Sequence, residues 1–133
     1  SIKNPLFHGG ARVFGPQPRD YSEKVNKKVK ELARKSVLSA KVKDNEIIVI
    51  EDFYFDAPKT KQMLEIKKNL NLNDKNSLIV VANPNNNVYL STRNLQSVSV
   101  VTACDINTYD LLKAKNLILC VSSVEEIVKT LNK

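Results

Sequence analysis

Tryptophan is absent from this 133-residue sequence, histidine occurs once, and four tyrosines and four phenylalanines are the only aromatic residues. The core must therefore be aliphatic, made of Val, Ile, Leu and Ala. With His8 as the single histidine, most metal sites and most His-dependent catalytic arrangements fall away. Cys104 and Cys120 make no CxxC pair and have no histidine nearby. Small secreted folds usually carry more cysteines, so two buried, reduced thiols are expected rather than a disulfide. No apolar run is long: residues 78–82 and 117–121 fall far short of a bilayer span. The opening Ser1-Ile2-Lys3-Asn4-Pro5 also lacks the apolar stretch of a secretory signal. Glycine is equally restricted. Gly9, Gly10 and Gly15 are the only three, so no later loop has the turn of a phosphate loop or dinucleotide fingerprint.

What is present suffices for one domain with a single core, since 42% of the residues are hydrophobic. The net charge of +7 is unevenly placed. Residues 1–41 hold ten basic side chains against Asp20, Glu23 and Glu31, a net of +7. Residues 42–133 hold eleven basic and eleven acidic ones, a net of zero. A neutral body with one basic extension points to a polyanion partner; the bland alternative is a solvated helix face.

The basic segment opens on a Gly/Pro-rich arm over residues 1–21. It contains all the glycines and three of the five prolines, so neither a helix nor a central strand is expected. Phe7 and Phe14 are spaced among Lys3, His8, Arg12 and Arg19. Such arms typically order against RNA, where Arg pairs with phosphate and rings stack on unpaired bases. Gly9-Gly10 follows no strand and precedes no GK[ST], so close backbone approach to a partner, or flexibility, explains the pair better than a phosphate cradle.

A single α/β domain is expected over residues 22–133. Its first helix, residues 22–41, has a stripe of Val25, Val29, Leu32, Ala33, Val37 and Ala40 expected to pack on the body, with Ser22 or Asp20 capping the start. Lys27, Lys30, Arg34 and Lys41 fall opposite that stripe, with Lys24, Lys28 and Lys35 beside them. Strands follow at 46–50, 78–82, 98–102 and 117–121. Between them lie helices at 56–71 (Asp56 cap, Pro58 in the first turn), at about 88–94, and at 107–113 with Asn107 as cap. A last helix starts from a capping box at residues 122–126. Near-continuous aliphatic strands separated by helices mean a mainly parallel sheet covered on both faces, a three-layer α/β sandwich with four strands.

Ligands of open parallel sheets bind at the carboxyl ends of the strands. Glu51, Asp52 and Asp105 lie there and could hold magnesium in an α/β enzyme, but loop acids and helix caps are the preferred reading. Cys104 has no base to activate it and there is no GxSxG elbow. Neither catalytic nor metal residues, nor a cofactor or small-molecule substrate, are expected.

Several segments together resemble one family. They are Ser1-Ile2-Lys3-Asn4-Pro5, Gly9-Gly10, Phe14, Pro18-Arg19-Asp20, Ser22, Lys24 and Asn26-Lys27-Lys28, then Ala57-Pro58-Lys59-Thr60-Lys61 and Arg93-Asn94-Leu95. In this order and spacing they are similar to bacterial large-subunit ribosomal protein L-four, over essentially the whole chain. The resemblance implies a cytoplasmic structural constituent of the large ribosomal subunit, not an enzyme. It implies direct binding of large-subunit ribosomal RNA early in assembly, neighbouring ribosomal proteins as partners and no membrane. The arm would correspond to the returning limb of a loop that reaches the peptide exit tunnel, and some family members repress their own operon. The family's further N-terminal region, with the loop tip, has no counterpart here. His8 stands where a basic residue is usual, and Ala11 where a third glycine is. The RNA-binding residues expected are Lys3, His8, Gly9, Gly10, Arg12, Arg19, Lys24, Lys27, Lys28, Lys30, Arg34 and Lys35. A free-standing RNA-binding regulator is the alternative.

Overall fold

The computed structural model describes residues 2–72 and 76–131; Ser1 of the arm and the final two residues of the domain lie outside them. Among the described residues nine elements follow in order: α1 (Lys27–Lys43), β1 (Ile47–Ile50), α2 (Thr60–Asn69), β2 (Ser77–Val81), α3 (Asn86–Thr92), β3 (Val98–Thr102), α4 (Thr108–Lys113), β4 (Asn116–Cys120) and α5 (Val121–Leu131). The strands form one sheet in the order β1-β4-β2-β3, and every pairing is parallel. The expected parallel α/β sandwich is what the chain forms.

Alternation along the strands divides the core in two. Leu78, Val80, Leu117 and Leu119 face one side, with Leu111 of α4, Ile127 of α5, and Val37 and Leu38 of α1 packed on them. Ile79, Val81, Ile118 and Cys120 face the other, under Met63 of α2 and Val88 of α3. The central strands β2 and β4 are buried at every residue, which is why they read as unbroken aliphatic runs.

Helix ends depart most from expectation. α1 begins at Lys27 rather than 22, because Asp20 and Ser22 satisfy each other: the Ser22 N–H and hydroxyl both donate to the Asp20 carboxylate, at 2.9 and 2.8 Å. α2 begins at Thr60, not at Asp56. Pro58 disfavours helical backbone before it, and the Lys59 N–H is met from α3, by the Ser91 hydroxyl at 3.0 Å. α3 starts two residues early, on Asn85, whose side chain accepts from the N–H groups of Asn87 and Val88. Asn107 caps α4 as expected, accepting from the Asp110 N–H at 2.7 Å.

The capping box expected for α5 does not form. β4 runs straight into α5, the Ser123 hydroxyl donates to the Cys120 carbonyl, and the Ser122 hydroxyl donates to Asp52 at 2.7 Å. The carboxylate of Asp52, arriving from the end of β1, thus sits at the positive end of the helix. With no glycine after residue 15, asparagine closes helices. Asn45 after α1 and Asn71 after α2 take positive φ (55° and 56°). The next N–H in each case, of Glu46 and Leu72, bonds back to the carbonyls of Lys41 and Lys67.

Candidate nucleic-acid interface

Residues 2–26 form neither helix nor strand. Their first part is nonetheless folded on itself. The N–H groups of Phe7, Gly10 and Ala11 donate to the carbonyls of Asn4, Phe7 and Lys3 at 3.0–3.1 Å, and the Leu6 N–H donates to the Asn4 side chain. Gly9 has φ +76°, and a Cβ on Gly10 would collide with the Asn4 carbonyl. The close approach that the glycine pair permits is therefore to the arm's own backbone. This compact turn leaves Phe7 and His8 exposed, and Phe14 beyond it is 97% exposed. Further on, the Arg19 guanidinium lies 4.4 Å from the centre of the Tyr21 ring, a cation–π contact that gives this arginine one direction. The carboxyl of Asp20 beside it is held below its ordinary value by the hydrogen bonds from Ser22.

Lys3, His8, Arg12, Arg19, Lys24, Lys27, Lys28, Lys30 and Lys35 are all exposed, as is Gly9; Gly10 and Arg34 are half-buried. Residues 22–30 are exposed without exception, so the first turn of α1 stands clear of the body. The helix does not dock by the expected stripe. Val25, Val29, Leu32 and Ala40 face outward, and only Val37, with half-buried Ala33, keeps its expected side. The docked face runs through Arg34, Val37, Leu38 and Lys41.

Lys41 explains the rotation. Expected on the outer face, it is only 6% exposed, and its ammonium donates to Glu46 and to the Ala114 carbonyl, both at 2.8 Å. Its aliphatic stem adds apolar surface beside Leu38, while the charge is met at the tip. Arg34 borders the same seam, with Leu38, Ile106, Ile127 and Leu131 around it.

The strand ends hold no catalytic arrangement. Asp52 accepts from Ser122, Asp105 accepts from the Thr102 hydroxyl at 2.6 Å, and Glu51 is exposed. Among the described residues, no group of three metal-ligating side chains converges. Cys120 is buried and its thiol is pushed up to about 11, first by desolvation and then by Asp52, so it is protonated and unreactive at neutral pH. Cys104 is exposed, against expectation, because it lies on the turn after β3 rather than in a strand; both cysteines are free thiols. No described helix is long and apolar enough to cross a membrane.

The model of the ribosomal protein L4/L1 family matches residues 1–130. The chain belongs to that family. It is 58% identical, over 92% of its length, to the large ribosomal subunit protein uL4 of Parabacteroides distasonis, covering 59% of that protein. Over its full length it is 53% and 52% identical to the proteins of the same name from Flavobacterium psychrophilum and Flavobacterium johnsoniae, covering 64% of each. It thus spans somewhat under two thirds of these relatives. The family is a structural, non-enzymatic component of the ribosome, which in bacteria is cytoplasmic.

Proposed function

We propose that this chain binds large-subunit ribosomal RNA as a structural constituent of the large subunit. The contact surface is the arm, residues 1–21, together with the basic residues at the start of α1. The observation that carries this reading is the placement of charge. The whole excess of +7 falls within residues 1–41, and nearly all the basic side chains there reach solvent. Neutralising phosphates with such side chains releases counterions and drives association with little dependence on base sequence. Exposed Phe7 and Phe14 add rings able to stack on unpaired bases, a contact of about 1–3 kcal/mol per base in single-stranded sites. The chain from residue 42 onward carries no net charge, and the body serves as the platform. On this reading the chain also supports early assembly and the exit-tunnel region, and contacts neighbouring subunit proteins. Repression of its own operon would use the same surface on a messenger leader.

Binding of the chain to large-subunit RNA fragments, titrated with salt, tests the proposal. The expected result is tight binding that falls steeply as salt rises. Binding with no salt dependence would overturn it. Tight binding to isolated RNA without incorporation into large subunits would favour a free-standing regulator.

A further inference from the structure

Just before α1 the side chains pair in an interleaved order. Residues 15–26 form no helix, strand or hydrogen-bonded backbone turn, and in an open backbone side chains two positions apart come to one side. Arg19 meets Tyr21, with its guanidinium 4.4 Å from the ring centre. Asp20 meets Ser22, whose N–H and hydroxyl both donate to the carboxylate, at 2.9 and 2.8 Å. The acid that follows the arginine in the chain is therefore engaged elsewhere. Among the described residues Arg19 makes no ion pair.

Each pairing bears on charge. A ring attracts a guanidinium through its π face and uses none of the five N–H donors. Those donors stay open, in a planar fork that matches two oxygens of one phosphate. Both side chains lie in solvent, Tyr21 at 74% exposure, so the pair is within reach of a partner. Among the described residues Arg19 is the one arginine set on a ring; Arg12, earlier in the arm, is exposed without one.

We infer that Tyr21 is a positioning residue for RNA binding. It holds the Arg19 guanidinium in one place with its donors free for a backbone phosphate, while Ser22 keeps Asp20 from neutralising it. The inference rests on the RNA-binding reading and adds to it a side chain without charge, to which phosphate neutralisation by itself gives no part.

A double-mutant cycle tests it. Affinity for a large-subunit RNA fragment is measured for Tyr21→Leu, Arg19→Gln and the two together, in the 133-residue chain. Neither side chain belongs to a core cluster, so the variants keep the fold. Tyr21→Leu is expected to weaken binding about threefold, the scale of an exposed cation–π contact. Tyr21→Phe, which keeps the π face, should bind like the unaltered chain. In the Arg19→Gln background Tyr21→Leu should cost nothing more, because no guanidinium is left to hold. In an Arg12→Gln background it should still cost the whole threefold. An equal cost with and without Arg19 would overturn the inference and make the ring a stacking platform for a base. Unchanged affinity in Tyr21→Leu would overturn it too. The salt titration keeps the two readings apart. Steep salt dependence of the unaltered chain without coupling in the cycle would sink the role of Tyr21 alone. Salt-independent binding of the unaltered chain would sink the RNA-binding reading and this inference with it.

Discussion

The two ends of α1 obey different physics. Its second half, from Arg34 to Lys43, is held by Val37 and Leu38 in the core and by the buried ammonium of Lys41. Its start, with the arm before it, touches little of the body and carries most of the charge. One helix thus belongs at one end to the fold and at the other to the partner. Mutations should sort accordingly: those beyond residue 34 change stability, and those before it change binding.

The largest effect expected is on the stability side. Leu117, fully buried in β4, leaves a cavity when shortened, and Leu117→Ala should cost about 2–5 kcal/mol in denaturant unfolding. The salt slope of RNA binding by the folded fraction should not move. A changed slope would mean that body and interface are not separate.

Deleting residues 1–19 tests the other side. It removes Lys3, Arg12, Arg19, Phe7 and Phe14 but nothing from either core cluster. Affinity for large-subunit RNA should fall at least tenfold at moderate salt, while the unfolding midpoint hardly shifts. Equal affinity would show that the charge of the arm is only solubilising.

A finer division comes from Lys27→Gln with Lys30→Gln. Both side chains are exposed, so stability should stay within about 0.5 kcal/mol. Each lost phosphate contact should lower the log–log salt slope by up to about one unit. Adding Arg34→Gln should lower the slope further and also reduce stability measurably, since Arg34 is half-buried against the seam. An exposed-type response at Arg34 would move the boundary further along the helix.

Cys120 predicts a pH effect confined to the body. Its folded-state value is raised from 9.0 to about 11, so the folded protein holds this proton more tightly than the unfolded chain. The stability it contributes is complete below pH 9 and is lost as pH rises toward 11. Chemical unfolding of wild type and Cys120→Ala across that window should show a steeper decline in the wild type. Parallel curves would place the loss elsewhere.

The smallest effect is expected at the strand ends. Glu51→Gln with Asp105→Asn should leave RNA binding and incorporation into subunits near normal, because Glu51 is exposed and Asp105 only closes a local turn onto Thr102. Loss of function in a folded double mutant would reopen the enzyme reading.

The sheet and most of its helices were legible in the residues themselves. Ile47 to Ile50, Ser77 to Val81 and Asn116 to Cys120 lie within one residue of where the aliphatic runs place them, because a strand covered on both faces must be apolar throughout. The uneven charge was equally plain, being a matter of counting. Less legible were helix starts, where Ser22, Asp56 and Ser122 all looked like caps and none served as one. A side-chain oxygen caps only if nothing else claims it or its helix, and Asp20, Ser91 and Asp52 supplied the competing bonds.

What the sequence alone determined, then, is a parallel α/β body and the gathering of the excess basic charge, with all three glycines, ahead of residue 42. Each follows from local composition and short-range periodicity. Tertiary structure decided which side of α1 turns inward. Periodicity marks Val25, Val29, Leu32 and Val37 as one apolar face, yet Val37 and Leu38 meet the sheet while Val29 and Leu32 face solvent. The choice rests on Lys41 reaching Glu46 and a carbonyl on α4's far end, Ala114, 73 positions away in the chain. A buried ammonium is tolerable only where oxygen atoms already stand in place to receive it, and that is a property of the assembled fold.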